Sequence, residues 1–109
     1  MEVIRGLLEI EIVEARNLPD TDKFLFSMFK KDLTDPYVSG YIGATKILMT
    51  SIKDNNLNPS WGETFSIQLC HRREMLRLVV QDKDHAWSEK IGEVSISFDE
   101  LKSRVIDGI

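Results

Sequence analysis

The sequence predicts an all-β fold, an antiparallel sandwich or barrel, on three observations. Six short segments carry apolar side chains in strand-like patterns, turn-forming residues separate them, and helical periodicity is almost absent. With 109 residues and 42% hydrophobic content, the chain reads as one domain over residues 1–109, large enough to bury a substantial core.

The first strand is Gly6 to Ala15. Leu8, Ile10 and Ile12 share one phase and Leu7, Glu9, Glu11 and Val13 the other, so one face is core and the other mostly wet. Asn17-Leu18-Pro19-Asp20 ends it. Asp35-Pro36 opens the second strand, Pro36 to Ile42, because proline has no N–H to donate and suits a strand's first residue. Gly43 turns the chain into a third, about Thr45 to Ile52. Asp54-Asn55-Asn56-Leu57-Asn58-Pro59 is dense in turn formers. Trp61, Phe65, Ile67 and Leu69 then alternate with Gly62, Thr64, Ser66 and Gln68, the clearest period-two signal in the chain. Glu63 falls in that apolar phase, so a partner near the strand's end is expected for it. The fifth strand is Leu76 to Gln81, and Val94, Ile96 and Phe98 mark a sixth. Asp99-Glu100-Leu101 is expected to cap a short helical turn.

Leu76, Leu78 and Val80 run in one phase straight into Asp82 and Asp84, and the period of two turns both carboxylates the same way. Neighbouring carboxylates repel and raise each other's pKa unless something positive sits between them; a divalent cation is the simplest solution. If successive strands alternate direction, the connections after strands one, three and five open at the same end. Asp20, Asp22, Asp35, Asp82, Asp84 and Glu89 then share one rim, while Arg72 and Arg73 sit at the other. A solvated acidic loop set is the competing reading.

The first of these connections holds an insertion, Lys23 to Lys31. Wound as a helix, it places Phe24, Leu25, Met28 and Phe29 on one side, Lys23, Ser27, Lys30 and Lys31 on the other, and Phe26 at the apolar margin. It reads either as a helix folded over the sandwich as extra core or as a membrane-contacting segment. Trp87, in the loop after the fifth strand, reads either as a membrane-interface anchor or as a packed side chain.

Composition narrows the function. A net charge of −4 argues against nucleic acid, whose binders present basic surfaces. Cys70 is the single cysteine, so there is neither an intrachain disulfide nor a cysteine zinc site, which fits a reducing compartment. Met1 to Arg5 lacks a signal-peptide pattern, and no apolar run approaches the ~20 residues that a membrane span needs. A soluble, cytoplasmic protein is expected. No nucleophile elbow, phosphate loop or zinc-protease motif occurs. An EF-hand fails because Ala86 and Trp87 occupy positions that need an oxygen ligand and glycine. His71 and His85 show no catalytic or zinc-binding pattern and read as surface histidines.

Three motifs stand in order: Thr34-Asp35-Pro36-Tyr37-Val38, then Leu57-Asn58-Pro59-x-Trp61-Gly62-Glu63-x-Phe65, then Val80-Gln81-Asp82-Lys83-Asp84 leading to Ile91-Gly92-Glu93. Together they resemble the signature of C2 domains, the calcium-dependent phospholipid-binding modules, over nearly the whole chain. The first-loop insertion, His71 and the Asp107-Gly108 ending are most similar to the C2 domain of plant-type phospholipase D. The resemblance implies a Greek-key antiparallel β-sandwich of six to eight strands, with the amphipathic helix inserted in the first top loop. It implies calcium as cofactor, held by Asp22, Asp35, Asp82 and Asp84, with Glu89 standing where the family often has another aspartate. Calcium takes six to eight oxygen ligands, and a lipid phosphate can complete its shell. The implied partner is an anionic phospholipid membrane, met by Phe24, Leu25, Phe26, Met28, Phe29 and Trp87.

The chain departs from the family pattern in several places. The third loop is one residue short, Asp20 or Asp32 can stand in for Asp22, and only Lys46 and nearby Lys53 serve a lysine-rich head-group patch. No closing strand is recognisable after Ile106, so that strand is expected to be missing or supplied from elsewhere, leaving an exposed edge. The phospholipase D catalytic pair, histidine and lysine two apart, is absent, so the expected role is a non-catalytic targeting module, whether or not a larger phospholipase surrounds it. The alternative function is a calcium-independent protein–protein interaction domain.

Overall fold

The computed structural model describes residues 4–19, 34–71, 75–83, 87–98 and 100; the expected helical insertion lies outside them. Six strands follow in order: β1 (Ile4–Glu14), β2 (Pro36–Ile42), β3 (Thr45–Met49), β4 (Ser60–His71), β5 (Met75–Lys83) and β6 (Ser88–Ser97). They form two antiparallel sheets among the described residues, one of order β3-β2-β5-β6 and one pairing β1 with β4. β1 skips two strands to reach β4, and β2 skips two to reach β5. These are the long-range neighbours of a Greek key, not of a meander.

The alternation read from the sequence decides which face β1 and β4 turn inward, whereas β2 is buried on both faces. On β1, Leu8 and Ile12 are buried while Leu7 and Val13 are exposed. Leu8 packs with Ile42, Leu76 and Phe98 at one end of the sandwich. Ile12 packs with Val38, Leu48 and Trp61 at the other. Each cluster draws on both sheets, so the apolar phases of the two sheets face one another, and each fully buried aliphatic contributes roughly 1.5–3 kcal/mol. Gly40 sits where β2 meets β3 closely: a Cβ there would lie 2.7 Å from Leu48 Cγ. Between the pairs Ile12–Glu63 and Glu14–Ser60, β4 carries one residue more than β1, and Gly62, at φ 60°, lies in that bulge.

Several boundaries differ from expectation. β3 ends at Met49, not near Ile52, because Thr50 diverts the pairing to its side chain: Thr50 Oγ1 accepts from Val38 N–H at 2.8 Å, while Thr50 N–H donates to the Val38 carbonyl at 2.9 Å. β5 runs on to Lys83 and β6 begins at Ser88, so Asp82 and Glu89 belong to strands and pair directly across the ladder. The helical turn begins at Phe98, and its capping side chain is Ser97, whose Oγ accepts from Glu100 N–H at 3.2 Å.

Candidate functional site

At the end of the sandwich that strand parity predicts, the described residues of the connections after β1 and β3 are hydrogen-bonded to one another, and Lys83 at the end of β5 bonds to Asp35. Leu18 N–H donates to the Leu57 carbonyl at 3.0 Å, and Asn17 N–H to Asn58 Oδ1 at 2.9 Å. Asn56 N–H donates to the Thr34 carbonyl at 2.9 Å, and Lys53 N–H to the Pro36 carbonyl at 3.0 Å. Thr34, fully buried, donates its hydroxyl to the Pro19 carbonyl at 3.0 Å. Tyr37 spans from β2 to β6 by donating to Ser88 Oγ at 2.7 Å.

Asp35 and Asp82 meet at this rim. Asp82 continues the core-facing phase of Leu76, Leu78 and Val80 and has no exposed surface, so it is not part of a solvated loop. Its Oδ1 accepts from Asp35 N–H at 2.9 Å, and Lys83 N–H donates to the Asp35 carbonyl at 3.0 Å. Asp35 Oδ1 in turn accepts from Asn55 N–H at 2.7 Å. Asn55 stands at φ 52°, in the left-handed region that asparagine tolerates better than most side chains. A backbone N–H thus orients each carboxylate, and burial beside a second carboxylate favours a compact cation to offset the charge.

Of the other predicted site residues, Glu89 is the cross-strand partner of Asp82, yet it is exposed, and it forms no three-member metal-ligating group with its neighbours among the described residues. Trp87 is 66% exposed, which rules out packing in the core. Asp22, Asp84, Phe24, Leu25, Phe26, Met28 and Phe29 lie outside the described residues, as do Asp20, Asp32, Arg72, Arg73 and His85. The all-oxygen donors Asp35 and Asp82 suit a hard cation such as calcium, which binds carboxylates and carbonyls.

Sequence reasoning missed Asn55 and Ser51. The turn-residue cluster around Asn55 was visible, but which amide reaches Asp35 depends on the loop's path. Glu63 has its expected partner: its carboxylate accepts from Ser51 N–H at 3.1 and 3.2 Å and from Ser51 Oγ at 2.6 Å.

With two sheets, Greek-key neighbours and the Asp35–Asp82 contact established, comparison with known families is decisive. The C2 domain family model matches residues 6–108. The chain belongs to the C2 domain family. This C2 domain is 32% identical to phospholipase D beta 1 of Arabidopsis thaliana, over 93% of this chain and 11% of that protein. It is 28% identical to extended synaptotagmin-1 of Homo sapiens, over 94% of this chain and 9% of that protein. Its fold matches a calcium-bound solved structure of two C2 domains of extended synaptotagmin 2, with a TM-score of 0.80 at 24% identity, covering 94% of this chain and 38% of that one. The chain therefore spans about a tenth of the length of these curated relatives. In the phospholipase D relatives the matching C2 domain is one attached part of a longer enzyme.

Proposed function

We propose that this C2 domain binds calcium at its acidic rim and, through the ion, docks on anionic phospholipid membranes as a non-catalytic targeting module. The observation that carries this reading is Asp82, a fully buried carboxylate at the end of a core-facing strand phase, bonded to the N–H of a second aspartate, Asp35. Asp35 and Asp82 are the proposed ligands within the described rim, and Asp22, Asp84 and Glu89 the proposed additional ones. Bound calcium supplies positive charge that lipid phosphates can share. The chain's own residues do the rest. Backbone amides hold the two carboxylates in place, and the exposed Trp87, with Phe24 to Phe29, offers apolar contact to the bilayer interface.

Residues 1–109 act as one module in this reading, recruited peripherally from the cytoplasm and regulating an attached phospholipase D-like enzyme. The test is co-sedimentation with phosphatidylserine-containing liposomes, in calcium and then in excess chelator. Sedimentation in calcium alone supports the reading. Sedimentation in both conditions assigns binding to the apolar residues without the ion. Failure in both sinks the membrane reading and favours the calcium-independent protein-interaction alternative.

A further inference from the structure

Glu63 is a charged residue in the core-facing phase of β4, directly opposite Ile12. The carboxylate is half-buried there, and its hydrogen bonds set its position. Both of its oxygens are engaged, and both by one residue, Ser51, through its N–H and its hydroxyl. The Ser51 carbonyl accepts from Trp61 Nε1–H at 2.9 Å. Two side chains of β4 thus hold all three polar groups of Ser51. From there the segment 51–56 is laced to the start of β2: Lys53 N–H donates to the Pro36 carbonyl, Asn55 N–H to Asp35 Oδ1, and Asn56 N–H to the Thr34 carbonyl. Pinned at its root and along its length, this strap fixes where the Asn55 amide points.

We propose that Glu63 is a positioning residue for the rim: by anchoring Ser51 it sets the Asn55 N–H that orients the Asp35 carboxylate. The role rests on the calcium reading above. It extends that reading to a residue on the opposite sheet that touches no ligand atom. Outer residues that orient a metal's ligands typically cost 10–100-fold in metal affinity when removed.

The experiment titrates calcium by isothermal calorimetry into the 109-residue chain as wild type, E63A, E63Q, D35N and the E63A/D35N double variant. Amide hydrogen exchange at Asn55 is followed in chelator. E63A is expected to weaken calcium roughly tenfold or more and to speed exchange at Asn55, while protection in the β2–β5 ladder is unchanged. E63Q, which keeps an acceptor oxygen, should recover part of the affinity. In the D35N background E63A should cause no further loss, because the residues act in series. Calcium uptake by wild type with equal affinity in E63A overturns the role while leaving the calcium reading intact. An equal loss in the D35N background also overturns it, since Glu63 would then act on the fold at large. No uptake by wild type overturns the calcium reading and this role together. If E63A fails to fold, E63Q with its own D35N cycle decides by the same criteria.

Discussion

Asp35 donates its backbone N–H to Asp82 Oδ1 at 2.9 Å, joining the start of β2 to the end of β5. The relationship separates two properties of Asp82, its acceptor oxygen and its charge. Asp82→Asn keeps an oxygen for the Asp35 amide and removes the charge; it should fold, lose roughly 1 kcal/mol and abolish calcium-dependent sedimentation. Asp82→Ala also strands the amide and should cost about 1–3 kcal/mol. Urea unfolding and liposome sedimentation, run on both variants, check the two effects independently.

Trp87 is exposed and therefore contributes little to the fold. Trp87→Ala should change stability by no more than ~0.5 kcal/mol. Its membrane affinity in calcium should fall about tenfold or more, since burying a large apolar side chain is worth ~1.5–3 kcal/mol. Unchanged liposome affinity would remove Trp87 from the proposed contact surface.

Gly40→Ala tests the close approach of β2 and β3. The added Cβ would meet Leu48 Cγ at 2.7 Å, a branch point within the core and not the free end of a flexible chain. Overpacking of this kind costs about 1–3 kcal/mol, read as a lower midpoint in urea with an unchanged slope.

Lys90 donates to Glu93 Oε1 at 2.8 Å, and this bond with its charge attraction holds the Glu93 carboxyl below its ordinary value; Arg77, at 3.9 Å, adds a smaller pull. The folded pKa is depressed, so the pair's contribution is present above the unfolded glutamate pKa and is lost as pH falls through the folded one. A carboxyl-detected NMR titration should find Glu93 titrating below a free glutamate. Lys90→Met should move that titration upward.

Much of the architecture was legible because strand side chains repeat every second residue. Leu8 and Ile12 announced the core face of β1, and the run from Leu76 through Val80 put Asp82 in its own phase. Proline at 36 marked a strand start because it lacks a donor, and the structure begins β2 there. Glu63 was recognisable as anomalous by its phase alone. Its partner was not, because Ser51 lies in a connection whose path depends on how the two sheets pack.

The sequence by itself determined the strand pattern, the common rim of Asp35 and Asp82 and the motifs of the C2 family, all of which depend on local periodicity and residue chemistry. Tertiary structure decided the pairing of β1 with β4 and β2 with β5, the burial of Asp82, and the use of the Asn55 amide on Asp35. Those depend on which distant segments meet. A backbone amide looks the same in every residue until packing of the sheets points one of them at a carboxylate.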